Sequence, residues 1–175
     1  MDDVAAAAAI SKQTIYTHFS SKEQLFADLV LGNTQRVEAL AEELVSGFGE
    51  GADVEAGLRR TARRYLALVS RPEALQLRRL VLAEAGRFPK LARTYYERVP
   101  ERVYGMLASL FADLSEEGRL KVDDPSEAAQ HFAWLILGAT LDRAMFLPPG
   151  EAASSDDVEA RADAGVDVFL AAYGV

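Results

Sequence analysis

Cysteine is absent from all 175 residues. A disulfide framework and a thiolate metal site are therefore excluded, and the chain reads as cytoplasmic. Histidine is nearly as scarce, with only His18 and His131, and neither has the spacing of a metal-ligand pair, so no metal or other cofactor is expected. No apolar run approaches the roughly 20 residues that cross a bilayer, and the N-terminus lacks the charged-then-apolar layout of a signal peptide, so no membrane partner is expected. Positive charge is in short supply, with 19 Lys and Arg against 27 Asp and Glu and a formal net charge of −8. Phosphate contacts need local Lys and Arg, so nucleic acid cannot cover the whole surface; a small reading head on an acidic body is still allowed. There is no phosphate-cradling glycine loop, and no nucleophile has a paired base nearby in sequence. The carboxylate pairs Asp2/Asp3, Asp123/Asp124 and Asp156/Asp157 stand at helix starts, where capping accounts for them. An enzyme is not expected.

Helical periodicity is what the chain has in abundance, and no run alternates as a strand, so the fold class is all-α. Met1, Val4, Ala5 and Ala8 form one apolar stripe of a short first helix. Ser11 is placed as the N-cap of a second, Lys12 to His18, and Ser20 and Ser21 with Glu23 and Gln24 form a capping-box signature for a third. That helix is long, with Leu25, Phe26, Leu29, Val30, Val37, Leu40, Ala41, Leu44 and Val45 as its stripe until Gly47, Gly49 and Gly51 stop it. Further helices are predicted over 54–69, 72–88, 90–97 and 101–114. Asp124, Pro125 and Glu127 then open one that runs to Phe146, where Pro148, Pro149 and Gly150 break it. An exposed loop over Ser154 to Asp157 precedes a last helix over 158–173.

Two short helices joined by a tight turn, ahead of a longer bundle, point to a helix-turn-helix. Ile15 and Phe19, with Val4 and Ile10, supply a small core behind the second helix. Lys12, Gln13, Thr14, Tyr16, Thr17 and His18 present hydrogen-bonding groups on its other faces, and Lys22 opens the next helix at its positive end. The run from Met1 to Phe26, above all Ser11 to Phe26, resembles the second, third and fourth helices of regulators of the tetracycline-repressor (TetR) family. The run Arg78 to Leu91 resembles the C-terminal domain of that family's AefR-like branch. The resemblance implies that Tyr16, His18 and Lys22 hold the DNA backbone, that Lys12, Gln13, Thr14 and Thr17 lie near base edges, and that Ser11 belongs to the same interface. Two departures stand out. The helix that precedes this motif in the family is lacking before Met1, which leaves part of the Val4–Ile15–Phe19 face short of cover. Ala9 occupies the turn position where the family commonly has glycine, a strain of roughly 1–2 kcal/mol if the residue is left-handed.

The expected organisation is a DNA-binding head with its connecting helix over 1–45 and a ligand-binding and dimerisation body over 46–175. The helix over 127–146 is apolar on two sides, and the resemblance implies that it pairs with the last helix and their copies in a homodimer; Phe132, Ile136, Ala139, Val166, Phe169 and Tyr173 are the candidate contacts. Between the middle helices the resemblance implies a cavity for a small-molecule effector, apolar or aromatic. Its candidate walls are Tyr65, Leu68, Leu82, Ala85, Phe88 and Tyr95, with Tyr96, Tyr104, Leu107, Trp134, Gly138 and Asp142. Arg78, Arg79 and Glu84 are candidates for an anionic group, but surface ion pairing is the expectation for them. The function that follows is a ligand-responsive repressor that binds a pseudo-palindromic double-stranded DNA operator as a dimer and is released by its effector. The alternative is a dimeric ligand-binding or interaction protein of the same fold without DNA binding.

Overall fold

The computed structural model describes residues 1–30, 32, 44–46, 48, 52–148 and 155–175, with the backbone alone at 155–157. The element order is α1 (Asp2–Ala7), α2 (Lys12–His18), α3 (residues 22–30), α4 (Val54–Val69), α5 (Pro72–Glu84), α6 (Pro89–Arg98), α7 (Pro100–Glu116), α8 (Pro125–Phe146) and α9 (Ser155–Tyr173). Among the described residues there is no strand, only an isolated bridge between Leu120 and Gly174. The all-α expectation holds. The predicted stripe residues Val37, Leu40 and Ala41, the glycines 47, 49 and 51, and the breakers Pro149 and Gly150 lie outside the described residues.

Local chemistry sets most helix starts. Asp53 accepts from the Ala56 N–H at 3.3 Å, and Asp124 accepts from Ser126 at 2.9 Å and Glu127 at 3.1 Å, so the caps satisfy donors the helices cannot. Prolines open α5, α6, α7 and α8 at their first helical positions, where a missing N–H costs nothing. Two ends differ from the sequence reading. Helix α5 stops at Glu84 rather than continuing to Phe88; the Arg87 and Phe88 N–H groups both turn back to the Glu84 carbonyl. Pro89 disfavours a helical residue before it, and Phe88 adopts φ −124°, ψ 62°. Helix α9 begins at Ser155, taking in part of the expected loop.

The core of the body lies among α4, α7, α8 and α9. Phe111, Phe132 and Phe169 are fully buried and pack pairwise with ring centroids 5.0–5.4 Å apart, each contributing about 1.5–3 kcal/mol by burial. Close approach of α8 and α9 depends on Gly165, where a Cβ would stand 3.2 Å from the Leu135 backbone. Along the rim of α4 and α9, Arg59 meets Asp167 at 2.5 Å, and the Arg63 hydrogen bond holds the Asp163 carboxyl below the usual carboxylate range. Leu44 joins this core, and its carbonyl accepts from the buried Thr61 hydroxyl at 2.9 Å.

A second, smaller cluster joins the N-terminal helices to the body. Phe26 and Val30 of α3 bury against Val81 of α5, with Leu77, Phe88, Leu91, Ala92 and Tyr95 packed around them. The Arg87 guanidinium pairs with Glu23 at 3.1 Å on the rim.

Candidate nucleic-acid interface and ligand cavity

The turn between α1 and α2 is a Schellman motif. Ile10 N–H bonds the Ala5 carbonyl at 3.0 Å, Ala9 N–H bonds the Ala6 carbonyl at 3.2 Å, and Ala9 sits at φ 53°. Ala9 therefore does adopt the left-handed conformation, and an alanine carries it. Ser11 then caps α2, its Oγ accepting from Thr14 N–H at 3.0 Å. Ile15 is the anchor of the head at 3% exposure; Phe19 is half-buried, while Val4 and Ile10 are 43% and 44% exposed. The expected small core is thus built mainly from Ile15, Ala5 and Phe19. In α3, Ser21 caps the Gln24 N–H at 3.1 Å, and Gln24 Oε1 accepts from the Ser20 N–H, one residue earlier than the reciprocal capping-box bond.

All eight candidate DNA contacts are exposed. Their side chains divide into two groups. Ser11 and Thr14 share a hydroxyl contact at 2.8 Å, Thr17 Oγ1 donates to the Gln13 carbonyl at 3.0 Å, and Lys12 pairs with Asp2 at 3.0 Å. Gln13, Tyr16, His18 and Lys22 make no side-chain hydrogen bond or ion pair among the described residues. At about 100° per residue, Gln13 and Thr17 stand opposite the buried Ile15, with Lys12 and Tyr16 on one flank and Thr14 and His18 on the other.

In the body, α4 to α8 enclose a cavity of about 430 Å³, within the usual size range of small-molecule sites. Of the expected wall residues, Tyr65, Leu68, Tyr95, Tyr104 and Trp134 meet there. The others do not. Leu107 is 1% exposed in the core, Leu82 and Tyr96 are 57% and 53% exposed on outward faces, and Asp142 is exposed on α8. Ala85 lies in the turn after α5, Gly138 is outside the lining, and Phe88 is turned to the Phe26 cluster. Val69, Ala74 and Leu77, Val99, Pro100 and Val103 at the start of α7, and Ala133, Leu137 and Leu141 of α8 complete the apolar wall, with Arg78 of α5 beside them. Arg71 and Glu73 stand at its rim. Helical spacing marks Leu137 and Leu141 as one stripe; that Leu77 joins them follows from how α5 packs, which spacing does not reveal. Burial pushes the Tyr65, Tyr95 and Tyr104 hydroxyls above the ordinary tyrosine value, against the pull of Arg78, so all three are neutral donors at physiological pH. The candidate anion partners Arg79 and Glu84 lie elsewhere: Arg79 donates to the carbonyls of Ala144 and Leu147 at the end of α8.

The expected dimer contacts also separate. Phe132, Ile136, Val166 and Phe169 are 0–3% exposed within the single chain, so they are committed to its own core. Tyr173 is half-buried, its hydroxyl 2.6 Å from His131 Nδ1, while Ala139 is exposed. Among the described residues, apolar surface on these helices includes Trp134, Leu135 and Phe146 of α8, with Ala164, Val168 and Ala171 of α9.

A family profile described as the C-terminal domain of AefR-like transcriptional repressors matches residues 56–175, and one for bacterial regulatory proteins of the tetR family matches residues 1–29. Among solved structures, the chain is similar to a protein from Mesorhizobium loti described as a TetR-family transcriptional regulator, with 38% identity and a TM-score of 0.84 over 99% of this chain and 86% of that one. It is also similar to a protein described as the flavonoid-responsive regulator FrrA, with 34% identity and a TM-score of 0.68 over 99% and 86% of the two chains. A TetR regulator from Agrobacterium tumefaciens matches at 26% identity and a TM-score of 0.73, over 98% and 82%. No curated protein matches the chain.

Proposed function

The chain belongs to the TetR family and is a DNA-binding transcriptional regulator rather than an enzyme, and from that premise we propose that it is a dimeric repressor released from its operator by a small molecule held in the cavity of the body. The head with its connecting helix spans 1–45 and the body 46–175. The observation that carries this reading is the sharing of Leu77 and Tyr95: both line the cavity, and both pack against the Phe26–Val30–Val81 cluster that seats α3. A molecule that moves the cavity wall therefore moves the base of the reading head.

In the head, Gln13 and Thr17 face base edges, and Tyr16, His18 and Lys22 hold phosphates on either side, with Ser11, Lys12 and Thr14 at the margin. Two such heads enter successive major grooves only when their recognition helices are about 34 Å apart. An effector that prefers another body conformation changes that spacing and shifts the population away from DNA. The partner copy packs on the Leu135, Phe146, Ala164 and Val168 face, an apolar surface exposed among the described residues. The aromatic wall suits an aromatic effector, in line with the flavonoid response named for FrrA.

One observation favours the alternative, a ligand-binding protein that has lost DNA binding. Residues 1–30 hold Lys12 and Lys22 against Asp2, Asp3, Glu23 and Asp28, and Lys12 is already paired. Fluorescence anisotropy of labelled DNA from immediately upstream of the gene, across a salt series, separates the two. A regulator binds at nanomolar-scale protein with a log–log salt slope near −4, and Lys22→Ala flattens the slope by about 0.9 per subunit. No binding at any salt would make the alternative the better reading.

A further inference from the structure

Arg78 projects from α5 into the cavity wall, half-buried, and among the described residues it makes neither an ion pair nor a hydrogen bond. Five other arginines of the body have described partners. Arg59 and Arg63 meet acids of α9, Arg79 caps the end of α8, Arg87 meets Glu23, and Arg119 meets Glu117. The charge of Arg78 falls on three hydroxyls at once, those of the buried Tyr65 and the half-buried Tyr95 and Tyr104. The lining carries two cations, Arg71 and Arg78, against one carboxylate, Glu73, and so has one positive charge in excess inside a protein whose net charge is −8. A partly buried cation without a partner is unfavourable, and an anion entering beside it recovers that loss. A guanidinium offers a planar fork to a carboxylate or an ionised phenol, and neutral tyrosine hydroxyls beside it add further donors.

We propose that the cavity is built for a largely apolar or aromatic molecule bearing one anionic group, which Arg78 receives beside the Tyr65, Tyr95 and Tyr104 hydroxyls. The proposal rests on the cavity being the effector site and names the charge of what it takes. Apolar contact with Leu77, Val103 and Leu137 holds the body of the ligand, and the single charge fixes its orientation.

Two dyes of nearly one shape test it: anilinonaphthalene sulfonate, an aromatic anion, and phenylnaphthylamine, the same ring system without the sulfonate. Trp134 is the only tryptophan and stands in the cavity wall, so quenching of its emission reports occupancy. The full chain is expected to bind the sulfonate about tenfold or more tightly than the neutral dye. Arg78→Met abolishes that preference and leaves the neutral dye within about twofold of its original affinity. Arg78→Gln, which keeps a polar end at the rim, repeats the test if the Met variant is unfolded by circular dichroism. Equal binding of both dyes to the unaltered chain overturns the anion assignment while leaving an effector cavity in place. Quenching by neither dye overturns both readings. Loss of the preference in Arg71→Gln, with Arg78→Met unchanged, overturns the assignment to Arg78.

Discussion

Phe26 of the head-bearing helix and Phe88 of the turn between α5 and α6 face each other with ring centroids 5.8 Å apart and planes inclined at 58°. The Arg87 guanidinium lies 5.0 Å above the Phe88 ring and reaches Glu23 on the same side. Helix α5 stops at Glu84, and Phe88 leaves helical geometry; that early stop is what puts the Phe88 ring beside Phe26 rather than in the cavity.

Phe88→Ala removes the larger part of this contact. Phe88 is only half-buried, so the cost is about 1–3 kcal/mol, below that of a fully buried phenylalanine. Amide hydrogen exchange is the informative measurement. Residues 22–30 lose protection while α7, α8 and α9 keep theirs; an equal loss everywhere would show that the contact does not link head to body in the way described.

Ala9 and Gly118 occupy the same position of two Schellman motifs, at φ 53° and φ 69°. Only Gly118 has the residue type the conformation favours. Ala9→Gly therefore stabilises the head by about 0.5–1 kcal/mol, the relief of strain being partly offset by greater freedom in the unfolded chain. Gly118→Ala destabilises by about 1 kcal/mol. Thermal melts of the two variants are expected to move in opposite directions, and a fall in both would contradict the account.

Arg79→Met takes away the donors that reach the carbonyls of Ala144 and Leu147 and that tie α5 to the end of α8. Loss of charge-assisted hydrogen bonds at a partly buried helix end costs about 1.5–3 kcal/mol. Urea unfolding should show a lower midpoint with an unchanged slope. A shift below about 0.5 kcal/mol would mean that solvent replaces these bonds freely.

Tyr65 gives the body an alkaline limit. Burial raises the folded pKa above the ordinary 10.0, so between that value and the folded one the unfolded chain releases a proton that the folded chain retains. The contribution is fully present below pH 10 and is lost as pH rises beyond it; Tyr95 and Tyr104 act in the same direction. Circular dichroism followed from pH 9 to 12 should show Tyr65→Phe holding its fold to higher pH than the unaltered chain. An identical profile would mean that the Tyr65 hydroxyl is not desolvated in solution.

Elements governed by a few adjacent residues are legible in the sequence. The Ser11 cap, the span of α2 and the Asp124–Pro125–Glu127 start of α8 stand where the residues predict, because an N-cap or an N1 proline acts over one turn. The end of α5 and the start of α9 depart from the sequence expectation by a few residues. Glycine, proline and acidic residues compete there, and at α5 the outcome depends on what Phe88 packs against. Five cavity residues are legible too, Tyr65, Leu68, Tyr95, Tyr104 and Trp134, all large side chains on middle helices. Leu82 and Tyr96 have the same composition signal but point outward, because each is one helical step from a cavity or core residue.

The sequence by itself determined the helices, most of their ends and the polar face of α2 opposite Ile15. These follow from backbone geometry and from a period of 3.6, which act along the chain. Tertiary structure alone decided which apolar faces the chain keeps for itself. By spacing, Phe132 and Phe169 are free for a partner; their packing on Phe111 closes them in and leaves Leu135, Phe146 and Val168 outside. It alone decided, too, that Arg78 makes no ion pair among the described residues, since such pairing is a property of what distant helices bring near, not of the residues next to it in sequence.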